Sequence, residues 1–228
     1  NKDENDKIIT IESTQYTQIL INTISKHVIR FGLIEAENNK NLPDIITEVI
    51  ENEILKQKEE NKFGTALYVS FGDYINVKCI KNLFKATDNL FLLIKKELFE
   101  NISKIGLENI QNTSIFNNTI REPDNFFDSI IIPYHFKSTE LEDNTKETIL
   151  KEAFRIVKED GIVLIHGYNE LPEIEHGLIN IFIKWVKNVY TDIETSSEVK
   201  FEEELLSAGA KEVKVFVYKG HLFGIGKK

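Results

Sequence analysis

The chain has 228 residues, of which 41% are hydrophobic, and this size suits one domain with a sizeable core and a small extension. Its 37 acidic and 28 basic residues give a formal net charge of −9, and no arginine-rich run is present, so the composition argues against a nucleic-acid partner. The single cysteine excludes an intramolecular disulfide framework and suits a reducing cytoplasm.

Membrane and metal association are also not predicted. No apolar run reaches the roughly 18 residues that a membrane-spanning helix needs, and no signal-peptide core precedes the first predicted helix. The sequence contains no Cys-x-x-Cys and no His-x-x-x-His pair, so it predicts no metal site. We therefore expect a cytoplasmic protein.

The first third of the chain has helical periodicity. Apolar residues recur at helical spacing from Thr14 to Ile34 and again from Pro43 to Lys58, and Pro43 suits a first helical position. The charged run over residues 56–62 ends the second helix. The sequence thus predicts a helical extension over residues 1–62 and an α/β domain over residues 63–228.

After Gly64 short apolar runs alternate with helical stretches, a pattern typical of βαβ units in a parallel sheet. The runs predicted to be buried strands are Ala66–Phe71, Leu90–Ile94, Phe127–Ile132 and Ile162–Ile165. One connecting helix lies in "KETILKEAFRIVKEDG", where we expect Gly161 to take the left-handed conformation that ends it. The last segment, "KEVKVFVYKGHLFGIGKK", alternates as a β-hairpin with its turn at "KG".

Three segments resemble, in the same order, parts of the Rossmann-like S-adenosylmethionine-dependent methyltransferases. "FFDSIIIPYHF" resembles the fourth strand and its exit loop, "ILKEAFRIVKEDGIVLIHG" the following helix and fifth strand, and "FEEELLSAGAKEVKVFVYKGHLFGIGKK" the last helix and hairpin. The resemblance covers residues 64–228. It implies a seven-stranded, mostly parallel sheet with an antiparallel last strand, preceded by the N-terminal helical extension, and S-adenosylmethionine as cofactor.

The resemblance also implies a cofactor loop in "ALYVSFGDYINVKC". It aligns Ser70 and Tyr74 with two of the family's three glycines, keeps Gly72, and puts Tyr68 where the family has an acidic residue. A glycine lets the backbone approach the ligand closely. We therefore predict that Ser70, Gly72 and the adjacent Asp73 bind the cofactor.

Two further cofactor contacts are implied by the resemblance. The second strand is followed by Lys95 and Lys96, which leaves Glu97 as the nearest carboxylate for the ribose, and Asn117 in "IFNN" is the candidate for the adenine. Each has an alternative role. Glu97 suits the first turn of a helix, where it faces the positive end of the helix dipole, and asparagine is a common turn former.

The candidate catalytic residues follow the fourth strand, where ligands bind in open α/β sheets. Pro133 is predicted to line the cofactor site, Tyr134 to wall the methyl channel, and His135 to act as the base. The alternative is that Tyr134 only packs against its neighbours and that His135 only caps the strand. His166, at the end of the fifth strand, is a second candidate base.

The leading hypothesis is a methyltransferase that acts on a small molecule or a protein group. A nicotinamide-dependent oxidoreductase is disfavoured, because Gly72 stands alone where that family needs G-x-G-x-x-G. A non-catalytic protein of the methyltransferase fold, serving as a binding or assembly module, is the alternative that Tyr68 and Lys95 favour. The N-terminal helices are predicted to pack over the cofactor cleft or to form a homodimer.

Overall fold

A computed structural model describes residues 42–53, 64–71, 77–103, 107, 110–133, 146–169, 195–218 and 221–228, all of which belong to one compact unit. The described helices are α1 (Leu42–Glu53), α2 (Val77–Ala86), α3 (Lys96–Ser103), α4 (Lys146–Ile156) and α5 (Glu198–Ala208). The described strands are β1 (Thr65–Val69), β2 (Asn89–Leu93), β3 (Ile110–Asn112), β4 (Ile115–Phe116), β5 (Thr119–Ile120), β6 (Phe127–Pro133), β7 (Val157–Asn169), β8 (Thr195–Ser196), β9 (Glu212–Tyr218) and β10 (His221–Lys227). The helix predicted over residues 14–34 and the turn at residues 219–220 lie outside the described residues.

Seven strands form the main sheet in the order β3-β2-β1-β6-β7-β10-β9, and the short β8 pairs with β7. The five strands from β3 to β7 in this order pair in parallel, whereas β10 pairs antiparallel with both β7 and β9. The predicted fold class is therefore confirmed, including the antiparallel last strand.

The central strands contain continuous apolar runs because both faces of the sheet are covered. One face packs against α4 and α5 and includes the fully buried Phe127, Phe201 and Leu205. The other face packs against α1 and α2 and includes Ile46 and Ile80. This two-sided burial explains why β1, β2 and β6 have no alternation of polar and apolar residues.

Helix α1 belongs to the core of the sheet domain, although it lies within the predicted extension. Its buried apolar face consists of Ile45, Ile46, Val49 and Ile50. Its polar side is joined to α2 by an ion pair between Lys78 Nζ and Asp44 Oδ2 at 2.6 Å and a hydrogen bond from Asn82 Nδ2 to Thr47 Oγ1. The boundary between residues 62 and 63 stays a prediction.

On the opposite face, Arg155 of α4 holds the hairpin β4–β5 against the helix. Its guanidinium donates to Glu152 Oε2 at 2.8 Å, to Asp124 Oδ1 at 2.5 Å and to the carbonyl of Ile120 at 2.8 Å. Glu152 accepts in turn from the Ile120 backbone N–H. The hydrogen bonds with Glu152 and Asp124 raise the pKa of Arg155 above its usual range, so the guanidinium stays charged at every ordinary pH.

The end of α4 corrects one prediction. Asp160, with φ 62°, takes the left-handed conformation that was expected of Gly161. Gly161 is needed for a different reason, because a Cβ there would lie 2.7 Å from the carbonyl oxygen of Lys158 and 2.6 Å from Val157 Cγ2. The turn into β7 thus depends on close backbone approach at Gly161 rather than on positive φ.

The lone cysteine gives a test of the packing between α2 and the sheet. Burial raises the pKa of Cys79 to about 12, because the thiolate has lost its hydration. We expect iodoacetamide at pH 8.5 to label Cys79 at least about a hundredfold more slowly in the native protein than in urea, since only the thiolate reacts. Mass spectrometry measures the labelling rate in each state. Equal rates in the native protein and in urea would show that solvent reaches Cys79 between α2 and the sheet.

Among the described residues, every helix is too short or too polar to cross a bilayer.

Candidate functional site at the carboxyl edge of the sheet

The parallel strands end at one edge of the sheet, where the candidate site residues lie. From β1 the chain moves to β2 and β3 on one side, and then returns to β6 and β7 on the other. Strand order therefore reverses between β1 and β6, and the crevice beyond the carboxyl ends of such strands is where ligands bind in open α/β sheets. Ser70 follows β1 at this point, and Pro133 is the last residue of β6.

Ser70 lies at the predicted edge, half-buried. Its backbone N–H donates to the carbonyl of Leu93 at 2.9 Å, which continues the pairing of β1 with β2. This amide is therefore committed to the sheet, and only the Ser70 side chain and carbonyl are left for a ligand. Gly72 and Asp73, the other predicted residues of the loop, lie outside the described residues.

The segment after β2 places Glu97 in the first turn of α3. The carbonyl of Lys95 accepts from the N–H groups of Leu98 and Phe99 and so begins the helix. Glu97 is exposed in that turn, as are Lys95 and Lys96 before it. The carboxylate therefore faces the positive end of the helix dipole at the edge of the crevice. Ribose binding by Glu97 stays a prediction.

Thr113 is a candidate site residue that the sequence analysis did not single out. It directly follows β3, its N–H donates to the carbonyl of Leu92 at 2.9 Å, and its side chain is 3% exposed. Its Oγ1 has no hydrogen-bond partner. Leaving a buried hydroxyl unpaired costs about 1–3 kcal/mol, so this hydroxyl is available to a ligand that would bind at the end of β3. In the sequence "QNTS" it has the composition of an ordinary turn.

Asn117, the predicted adenine contact, lies at the tip of the β4–β5 hairpin. Asn117 and Asn118 have φ of 48° and 60°, as the two central residues of a tight hairpin turn require. Both side chains are exposed. The segment that directly leaves β3 is Thr113–Ser114. Asn117 forms part of the hairpin turn, and its contact with the adenine stays a prediction.

Pro133 ends β6 and pairs in register with His166 of β7. Tyr134 and His135, the predicted catalytic residues, follow at once and lie outside the described residues. Strand β8 pairs in parallel with Tyr168 and Asn169, beyond the last residue of β6. At Tyr168, one edge of β7 is already paired with β10. Strand β8 therefore pairs with the other edge of β7, beyond the point where β6 ends.

Two histidines meet at this end of β7. His166 Nε2 lies 2.9 Å from His221 Nδ1 of β10, and the two residues are 0% and 5% exposed. The ring of Phe223 lies 5.2 Å from that of His166. His166 was expected at the strand end as a candidate base, but its partner His221 was not expected.

The residues that are present fit the adenosine half of S-adenosylmethionine in two respects. The orphan Thr113 Oγ1 offers a hydrogen bond at the end of β3, and Ser70 and Glu97 provide polar groups at the ends of the two neighbouring strands. Gly72 and Asp73, which were predicted to bind the cofactor, lie outside the described residues and stay predictions. Among the described residues, no group of three or more His, Cys, Asp or Glu side chains is placed to hold a metal ion.

Comparison with known proteins gives a similarity of structure and not of sequence. No family model matches the chain, and no curated protein matches it. Among solved structures, an S-adenosylmethionine-dependent methyltransferase from Aquifex aeolicus aligns with 87% of this chain and 97% of its own, at 19% identity and a TM-score of 0.56.

Two further structures show the same similarity. A Methanococcus maripaludis protein assigned to the S-adenosylmethionine-dependent methyltransferases aligns with 83% of this chain and 91% of its own, at 19% identity and a TM-score of 0.54. The methyltransferase SibL, solved in its apo form, aligns over 80% of this chain and 55% of its own, at 17% identity and a TM-score of 0.54. The chain therefore has the Rossmann-like fold of the S-adenosylmethionine-dependent methyltransferases, as the sequence resemblance implied.

Proposed function

We propose that the protein is an S-adenosylmethionine-dependent methyltransferase that acts on a small molecule or on a group of a protein. The observation that carries the proposal is the orphan hydroxyl of Thr113, because it marks the end of β3 as a place where a ligand completes the hydrogen bonding. The fold supports the same reading, since Ser70 directly follows β1, one of the two strands between which the strand order reverses.

In this proposal the chain's residues have separate tasks. Thr113 and Glu97 hold the adenosine, whereas Ser70, Gly72 and Asp73 surround the methionine portion. Bound S-adenosylmethionine supplies a methyl group on a positively charged sulfur. Pro133 lines the cofactor site, Tyr134 walls the methyl channel, and His135 is the base proposed from the sequence. Holding the acceptor in line is the larger part of the catalysis, because the methyl group is already electrophilic.

The acceptor and the oligomeric state belong to the same proposal. The net charge of −9 disfavours nucleic acid as acceptor. Self-association through the N-terminal helices has to use residues other than the apolar face of α1. The reason is that Ile46, Val49 and Ile50 are buried in the core of their own domain.

A non-catalytic binding or assembly module is the second candidate. Tyr68 is 5% exposed where the family carries an acidic residue, and the amide of Ser70 is already engaged by β2. Both features reduce the polar groups available to a cofactor. The two candidates differ in one measurable property, the affinity for the cofactor.

Calorimetry of the wild type with S-adenosylmethionine and with S-adenosylhomocysteine separates them. We expect binding, and we expect Thr113→Val to weaken it by about 1–3 kcal/mol while leaving the unliganded protein as stable or more stable, since the variant removes an unpaired hydroxyl. Ser129→Ala is the matched control, because Ser129 Oγ is also buried and unpartnered but lies beside Ala66 and Ile162, away from the crevice.

Gly72→Val is expected to abolish binding, because a branched side chain would fill the space that the family's loop leaves for the ligand. If the wild type binds neither compound at millimolar concentration, which is weaker than about 4 kcal/mol, the binding-module candidate replaces the enzyme. If Thr113→Val and Ser129→Ala bind equally well, Thr113 is not part of the site.

A further inference from the structure

Strand β9 is the last strand of the main sheet, because it pairs with β10 on one side. Among the residues that the structure describes, no strand pairs with its other side, which we call the outer edge of β9. Its pairing with β10 is continuous from Glu212 to Tyr218, without a proline or a bulge. The two charged residues, Glu212 and Lys214, lie at one end, so the rest of the strand has no charge to repel another strand.

The hydrogen bonds of β10 identify the backbone groups at the outer edge. The N–H of Lys228 donates to the carbonyl of Gly161, one step beyond the pairing of β10 with β7. Residues of an antiparallel strand alternate between its two neighbours, so even-numbered residues of β10 bond to β7 and odd-numbered ones bond to β9. The register of β10 with β9 pairs odd numbers with even numbers. Val213, Val215 and Val217 therefore direct their N–H and carbonyl groups to the outer edge.

Only one antiparallel register allows two copies of β9 to pair all of these groups. When the copies cross at Val215, it bonds to Val215 of the second copy, and Val213 bonds to Val217 of the second copy. Lys214 then lies opposite Phe216 of the second copy, where a cation can contact an aromatic ring. A crossing at Lys214 would set two lysines opposite each other and leave Val217 without a valine partner, so it is disfavoured.

Helix α5 lies at the same level as Val215. It packs on β9 and β10, on the side of the sheet to which Val215 points. Gly224 of β10 pairs with Val215. A Cβ on Gly224 would lie 2.9 Å from Leu205 Cδ1 and 3.1 Å from Phe201 Cδ1. A twofold axis through Val215 therefore stands level with the part of α5 between Phe201 and Leu205, near the middle of the helix.

Exposed side chains of α5 lie around this axis. Val199 and Leu206 are 64% and 48% exposed, one on each side of the middle of the helix. The axis sets two copies of α5 antiparallel, so Val199 of one copy lies at the level of Leu206 of the other. A stable dimer buries about 800 Å² per partner, and these side chains add helix surface to that of the strand. Glu202 and Glu203 lie between them and are also exposed, so the contact brings carboxylates together.

We propose that a second copy of this chain pairs with the outer edge of β9, so that the protein is a twofold-symmetric dimer with one continuous sheet. This surface differs from the N-terminal helices that were predicted to form a homodimer. It is separated from β1 by β6, β7 and β10, so the interface lies away from the crevice of each copy. The inference goes beyond the proposed methyltransferase function and does not depend on it.

Sedimentation of the full chain tests the proposal. At about 100 μM we expect a species of twice the chain's mass. Val217→Lys is expected to raise the dimer dissociation constant at least about tenfold, because it puts a charge opposite Val213 of the second copy. Val77→Lys is the matched control, since Val77 at the start of α2 is 39% exposed, against 41% for Val217, and lies on another element.

Val215→Pro tests the backbone pairing. The N–H that proline removes points to the outer edge, so the pairing of β9 with β10 keeps its hydrogen bonds. The variant removes two hydrogen bonds from the dimer and is expected to raise the dissociation constant by about tenfold to a hundredfold. Circular dichroism shows whether it folds, and Val217→Lys decides the question if it does not.

Amide hydrogen exchange measured by NMR needs no variant. The amides of Val213, Val215 and Val217 are expected to exchange at least about tenfold more slowly at dimer-forming concentration than in dilute solution. The amides of Lys214 and Phe216, which bond to β10, are expected to exchange slowly at both concentrations. Salt is expected to lower the dissociation constant, because it screens the carboxylates of Glu202 and Glu203.

Several outcomes would overturn the proposal. One is a monomer at about 100 μM. Another is a dimer that persists in Val217→Lys with unchanged exchange of the three valine amides, which would favour the N-terminal helices. A dissociation constant that rises severalfold with salt would mean that ion pairs hold the dimer, and a mass that grows beyond the dimer with concentration would mean that the contact does not close.

Discussion

Phe127→Ala is expected to lower the free energy of unfolding by about 3–5 kcal/mol, the usual loss for a fully buried phenylalanine. Phe127 begins β6 at 0% exposure, and its ring makes edge contacts with Phe91 at 5.3 Å and Phe126 at 4.9 Å between centroids. Phe91 and Phe126 also meet each other at 5.5 Å. Truncation therefore removes one member of a three-ring cluster in which each ring touches the other two.

Phe116→Ala is the matched control for this prediction. Phe116 is the same residue type on the β4–β5 hairpin but is 77% exposed, so its truncation should change stability by less than about 0.5 kcal/mol. Urea unfolding followed by circular dichroism measures both variants. A loss below about 1 kcal/mol for Phe127→Ala would contradict the packing of β6 described here.

Gly226→Ala is expected to destabilise the protein by about 1–3 kcal/mol through overpacking. A Cβ at this position of β10 would lie 2.7 Å from Cζ of Phe154 and 3.1 Å from Cβ of Ala210. Phe154 is itself buried on α4, at 3% exposure, so its ring has little room to retreat. The glycine thus lets the terminal hairpin and α4 approach each other closely.

A rescue variant makes the cause specific. Phe154→Leu removes the ring atom that the new methyl group would meet, so the double variant should lose less stability than the sum of the two single variants. Additive losses in the urea midpoints would show that Gly226 is needed for a reason other than contact with Phe154.

Much of the fold was predictable because it is encoded locally. The runs of Leu, Ile and Val in β1, β2, β6 and β7 are continuous, since both faces of these strands are covered, and such runs are visible in the sequence. The terminal hairpin was visible through alternation at Val213, Val215 and Val217. The turn after α4 was less predictable, because Asp and Gly both occur in the left-handed conformation and the residue that takes it here is Asp160.

The candidate site was less predictable than the fold. Its residues are distant in the sequence, and only strand pairing and burial in the folded chain show which of them lie together. Thr113 looks like a turn residue until its Oγ1 is seen to be buried without a partner. His166 and His221 are 55 positions apart and meet only because β10 pairs antiparallel with β7. Asn117 has the positive φ of a hairpin turn, and its contact with a ligand stays a prediction. Tyr134 and His135 remain predictions.

The position of β10 inside the sheet also governs how the protein is synthesised. Strand β7 emerges from the ribosome well before the residues that cover its second edge, since β10 begins at His221 and the intervening segment includes α5 and β9. Until residues 221–227 emerge, a nascent chain presents the unpaired edge of a long apolar strand, which is a template for aggregation. Pairing of β10 with β7, after residues 221–227 have emerged, is therefore the step that closes the sheet and brings the two imidazoles together.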